Sequence, residues 1–111
     1  MTVLFIGGAH QGKEALARQW YPQLACVPNL QDWVKNTLEK GENPENLLNM
    51  LFGKVVVCNE IGCGIVPLDP ADEAWREAVG RLCCALAAQA DVVVRVIAGV
   101  PQWVKGDAPC I

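Results

Sequence analysis

The stretch Thr2-Val3-Leu4-Phe5-Ile6-Gly7-Gly8-Ala9-His10-Gln11-Gly12-Lys13-Glu14-Ala15-Leu16-Ala17-Arg18 decides how the chain is read. Val3 to Ile6 form a short unbroken apolar run, the pattern of a strand buried on both faces. Glycines follow at once, and Glu14 to Trp20 read as a helix that Pro22 stops. From Gly7 to Gly12-Lys13 the spacing is G-x-x-x-x-G-K, a phosphate-cradling loop set between strand and helix. In such a loop successive backbone amides turn inward as an anion-sized nest, and the helix N-terminus adds positive potential. Gly7, Gly8, Ala9, His10, Gln11, Gly12, Lys13 and Glu14 are therefore expected to hold nucleotide phosphates, with Lys13 neutralising their oxygens.

The loop ordinarily ends in Ser or Thr, because a neutral hydroxyl binds the Mg²⁺ that bridges the outer phosphates. Glu14 stands there instead. A carboxylate also binds Mg²⁺, but it repels a triphosphate by roughly 4 kcal/mol per charge pair at ~4 Å and an effective dielectric of ~20. The plainer reading is an acid in the first turn of a helix, worth ~0.3–1 kcal/mol against the helix dipole.

Composition bounds the rest. A chain of 111 residues is one domain and buries roughly two-thirds of its unfolded surface. Hydrophobic residues reach 52% and charged residues only 19%, with four tryptophans, a balance that predicts self-association over apolar surface or, more plainly, a rich core. The net charge of −3 argues against nucleic acid, whose phosphates need a basic face. No apolar run approaches the ~20 residues that span a bilayer, and no basic amphipathic helix suggests a membrane surface. The N-terminus lacks the charged region of a signal peptide, so a cytoplasmic chain with reduced thiols is expected. Of the six cysteines, Cys26 and Cys58 fall in apolar strand patterns. Cys83 and Cys84 are helix neighbours that diverge by about 100°. With no C-x-x-C pair and His10 the sole histidine, a thiol metal or redox centre at Cys58 and Cys63 is the weakest functional reading.

Further along, Leu24–Val27 reads as a second strand ended by Pro28. Asn29 then caps a helix with Leu30, Trp33, Val34 and Leu38 on one face, closed by Gly41. Asn43-Pro44 opens another, with Leu47, Leu48, Leu51 and Phe52 as its buried side. Val55–Asn59 is a β-branched strand, and Asp69-Pro70 caps a long helix to about Ala90 whose apolar stripe includes Val79, Leu82 and Leu86. Val92–Ala98 is a fourth strand, with Trp103 and Val104 of the tail packed back on the body. Such alternation predicts a mostly parallel α/β sheet with helices on both faces. The first strand is expected between Leu24–Val27 and Val55–Asn59, with Val92–Ala98 outside the latter. Ligands bind beyond the carboxyl ends of such strands. One crevice is thus expected to hold the loop together with Asn59 and Glu60. Glu60 is then the acid placed to meet a phosphate-bound metal or accept a hydroxyl proton, or simply an exposed acid at a strand end.

Taken whole, Val55-Val56-Val57-Cys58-Asn59-Glu60-Ile61-Gly62-Cys63-Gly64-Ile65-Val66-Pro67 resembles the adenosylcobinamide kinase/adenosylcobinamide-phosphate guanylyltransferase family of cobalamin biosynthesis. The similarity extends through Ala78-Val79-Gly80-Arg81-Leu82 to Gly99-Val100-Pro101, and takes in Leu30–Asn36 and the loop at Gly7–Lys13. The resemblance implies a P-loop, RecA-like fold, a homo-oligomer (typically a trimer), and Mg²⁺ with ATP or GTP. It implies phosphorylation of the corrinoid adenosylcobinamide, then guanylyl transfer through a histidine. On that basis Lys13 and Glu60 would be catalytic, Asn59 would join the loop in binding nucleotide, and Glu14 and Glu60 would hold the metal. This chain reads as a shortened, divergent member. Pro28 stands where an acid should end the second strand, the histidine-bearing segment is not evident, and Cys83-Cys84 replace polar residues. A module that binds nucleotide, corrinoid or a partner without catalysis is the alternative.

Overall fold

In a computed structural model, which describes residues 1–9, 11–60 and 69–108, the chain folds around one five-stranded sheet in the order β2-β3-β1-β4-β5. The strands are β1 (Val3–Gly7), β2 (Cys26–Val27), β3 (Val55–Asn59), β4 (Val92–Ile97) and β5 (Val100–Lys105). The helices are α1 (Lys13–Trp20), α2 (Leu30–Glu39), α3 (Leu48–Leu51, entered through a 3₁₀ turn at Pro44–Leu47) and α4 (Pro70–Gln89). The first four strands run parallel, as the alternation of strands and helices predicts.

Strand order differs from the sequence expectation. β1 lies between β3 and β4, pairing Gly7 with Asn59 on one side and with Val96 on the other. β2 touches only β3. Gly7 explains the neighbour on the β4 side, since a Cβ there would lie 2.4 Å from the Val96 carbonyl oxygen. β2 is confined to two residues because Pro28 follows it without an N–H to donate. The expected four strands become five because Ala98 and Gly99 both take positive φ, 50° and 78°, the two-residue hairpin turn that matches strand twist. β5 therefore folds back antiparallel on β4.

Strand alternation divides the core. Leu4, Val56, Cys58 and Val93 face α2, α3 and α4, meeting Leu30, Val34, Leu51, Val79, Leu82 and Leu86. Val3, Phe5, Val55, Val57, Val94 and Val96 face α1 through Ala17 and Tyr21. Trp103 packs edge-on to Trp20, ring centroids 5.4 Å apart, as expected of the tail. Val104, Trp33 and Phe52 do not join the core and stay 66%, 39% and 39% exposed. Val104 extends from the edge strand β5, and Phe52 sits one residue past the end of the four-residue α3. Asp69 caps α4 by accepting the Asp72 N–H at 2.9 Å. Asn29 occupies the α2 cap position in a left-handed conformation without a side-chain cap. Among the described residues no helix is long and apolar enough to cross a membrane.

Gly7→Ala drives a methyl against a backbone oxygen at the centre of the sheet. It is expected to cost about 1–3 kcal/mol, the usual penalty of overpacking, read as a lower urea midpoint at unchanged m-value.

Candidate functional site

β1 delivers its last residue to the carboxyl edge of the sheet, and the chain turns there into α1. Gly12, at φ 78°, occupies the N-cap position, and its carbonyl accepts the Leu16 N–H at 3.1 Å. Lys13 bends back over the loop, where its Nζ donates to the Gly8 carbonyl at 2.6 Å. Only 4% of the residue is exposed. Burial holds its ammonium below the ordinary pKa of 10.5, with Cys58 and Glu60 pulling weakly the other way. Gln11 fastens the loop to the hairpin, its Oε1 accepting the Ala98 N–H, while its amide reaches the Ala9 carbonyl. His10 lies outside the described residues. A hollow of about 330 Å³ results, lined by Ala9, Gln11, Gly12, Lys13, Glu14, Asn29 and Asn59 among others.

The two acids expected to serve this loop are both engaged elsewhere. Glu14 lines the hollow but pairs with Arg18 one turn along α1, at 3.1 Å. Glu60 is fixed through its backbone, whose N–H donates to the Gly7 carbonyl at 2.8 Å. Its carboxylate takes Arg95 in a two-point pair, 3.1 Å from Nε and 3.3 Å from Nη2. Glu60 and Arg95 belong to a second cavity of about 570 Å³ on the α4 side, shared with Ile6, Cys58, Val79 and Cys83. The single expected crevice is thus two hollows. Asn59 lines both, and Glu60 only the second. Sheet alternation causes this separation, because successive residues leaving β3 face opposite sides.

Two site residues were not singled out from sequence. Arg95 is the lone charge in Val92-Val93-Val94-Arg95-Val96-Ile97, and that interruption of an apolar strand is its signal. Gln31 is 6% exposed. Its Oε1 accepts the Asn59 N–H at 3.0 Å, and its own carbonyl accepts Trp75 Nε1–H at 2.7 Å. It thereby ties α2 and α4 to the end of β3. Nothing in a polar residue near a helix start distinguishes such a role beforehand. As for Mg²⁺, Glu14 and Glu60 open onto different hollows and each is held by an arginine. Among the described residues no three His, Cys, Asp or Glu side chains gather as a metal set. Among the described residues the side chains do not gather into a protein-built Mg²⁺ site.

The buried ammonium has a consequence for stability. Lys13 releases its proton at lower pH in the folded chain than in the unfolded one. The unfolded state therefore binds more protons between the lowered pKa and 10.5, and this residue's contribution makes stability rise with pH across that window. Below it the desolvation cost stands in full. Lys13→Met keeps the side-chain length without the charge. It is expected to unfold at an equal or higher urea concentration at neutral pH, and to lose that alkaline rise when midpoints are compared across pH.

The match to known families falls on the scaffold of these hollows. The family model described as cobinamide kinase / cobinamide phosphate guanyltransferase matches residues 25–104, from β2 into β5. No curated protein matches the chain. The matched segment contains Gln31, Asn59, Glu60, Cys83 and Arg95, and the family is one of P-loop proteins, in keeping with the parallel sheet and the loop after β1. The chain belongs to the cobinamide kinase / cobinamide phosphate guanyltransferase family of cobalamin biosynthesis.

Proposed function

We propose that the chain binds the phosphates of ATP or GTP in the hollow at Gly7–Lys13 and phosphorylates a corrinoid, adenosylcobinamide, as a kinase of its family would. The observation that carries the reading is the posture of Lys13. Its ammonium is buried over the loop and satisfied by one backbone carbonyl, a weak partner that an anionic phosphate oxygen replaces with a charge-assisted bond. α1 begins at the same point and directs its N-terminal amides and dipole toward the anion. Asn59, oriented by Gln31, supplies a polar side chain to the same wall. Mg²⁺ enters this reading with the nucleotide rather than as a resident of the protein. Guanylyl transfer is left out of it, because the only histidine, His10, sits inside the phosphate loop.

A second reading has its own observation. The Glu14–Arg18 and Glu60–Arg95 pairs withdraw both carboxylates that metal-assisted transfer would use. They favour a protein that binds nucleotide or corrinoid without turnover. In either case we propose a cytoplasmic homo-oligomer, a trimer by family analogy; Ile97, Val100 and Val104, exposed together on the hairpin, supply apolar surface for it.

Calorimetric titration with ATP and with GTP, in Mg²⁺ and in EDTA, tests the common ground. Binding is expected in both buffers, and Lys13→Ala is expected to weaken it at least tenfold, about 1.4 kcal/mol. Absence of nucleotide binding in every buffer sinks the kinase reading and the nucleotide-binding form of the second. Phosphate transfer from labelled nucleotide to adenosylcobinamide, abolished by Lys13→Ala, selects the kinase over the binding module.

A further inference from the structure

Cys58 and Cys83 are 25 positions apart in sequence, yet the fold brings both to one cavity and one core cluster. Cys58 leaves β3 toward α4 and is 1% exposed. Cys83 sits on α4, packs against the same core cluster, and is only partly covered. Both line the 570 Å³ cavity beside Glu60 and Arg95, where the Cys58 Sγ–H reaches the Asn59 carbonyl at 3.5 Å and the two thiols lie close enough to shift each other's titration. Cys84, the next residue, points away and is exposed, as the turn of a helix requires. Neither thiol lines the phosphate hollow.

We propose that Cys58 and Cys83 are a reversible dithiol–disulfide site, oxidised by a low-molecular-weight disulfide that enters the cavity. The pair is asymmetric in a way that orders the steps. Cys83 is the more accessible sulfur, only partly covered where Cys58 is buried, and an incoming disulfide meets it first. The Cys83 thiolate attacks one sulfur of the incoming disulfide, forming a mixed disulfide and expelling one thiolate, which takes up a proton. Cys58 then gives up its proton and attacks the Cys83 sulfur. The protein S–S bond forms, the mixed S–S bond breaks, and the second small thiolate leaves and is protonated. Two protein thiols have been oxidised by two electrons, and one small disulfide has become two thiols. Closure draws together β3 and α4 at the residue before Asn59, so the wall shared by the two hollows lies next to the bond.

Glutathione disulfide is the probe. The reduced full chain is incubated with it under native conditions, remaining thiols are alkylated, and the protein is mapped by mass spectrometry. The expected result is a peptide pair joined through Cys58 and Cys83, lighter by two hydrogens, with the other cysteines alkylated. Cys58→Ser is expected to trap the glutathione adduct on Cys83, and Cys83→Ser to give neither link nor adduct at Cys58. The proposal is overturned if Cys58 joins Cys63 instead, if Cys58 and Cys83 both remain alkylatable after oxidation, or if Cys58→Ser accumulates no adduct on Cys83. Wild-type mapping decides the matter even where a serine variant fails to fold.

Discussion

The absence of one methyl group, at Gly7, fixes the geometry on which the rest depends. Gly7 ends the central strand with Asn59 on one flank and Val96 on the other, and a Cβ there would meet the Val96 carbonyl at 2.4 Å. On its other flank the Gly7 carbonyl accepts the Glu60 N–H, which continues the ladder one residue past β3. That bond sets where β3 ends and so which face Asn59 and Glu60 serve. The loop that follows Gly7 is aimed in the same act. A side chain at this one point would therefore act on both hollows at once.

Charge is arranged around that frame with little left unpaired near the loop. Each of the two acids expected to act there has an arginine within 3.1 Å. Exposed pairs of this kind add at most about 1 kcal/mol to stability, so their chief effect is on the local field. Arg18 cancels much of the repulsion that Glu14 would direct at a phosphate. Arg95 holds Glu60 on the α4 side of the sheet. Lys13 donates to the Gly8 carbonyl and is held there against the cost of burial. A chain selected for stability alone would place an apolar residue at that position.

The architecture was legible where local chemistry decides it. A strand, glycine loop and helix at Val3–Trp20, the β-branched run at Val55–Asn59 and the Asp69 cap all leave signals within a few residues, and all appear where those signals place them. Strand order was not legible, because it turns on Gly7 and Val96, 89 positions apart in sequence. The fifth strand was missed for a local reason: Ala98-Gly99 makes a tight hairpin through a positive φ at Ala98, a conformation alanine rarely signals. The site was legible as a loop but not as an electrostatic arrangement. Spacing places Glu60 at the strand end, whereas its partner Arg95 comes from a strand across the sheet from β3, with β1 between them.

The same point bears on how far family membership carries to chemistry. Phosphoryl transfer draws its rate from positioning and charge neutralisation rather than from a covalent step by the protein, so fold and activity can part through a few ion pairs. In this chain the match to the family runs through the scaffold from residue 25 to residue 104, and within that scaffold Glu60 is already neutralised by Arg95. Turnover by a kinase route would therefore require the bound nucleotide either to bring its own counter-ions or to draw Arg95 away from Glu60. In the second case the guanidinium that now quiets the acid would itself become a ligand for the transferred phosphate. Arg95 sits half-exposed on the rim of the second cavity, and that cavity shares Asn59 with the hollow that Lys13 lines.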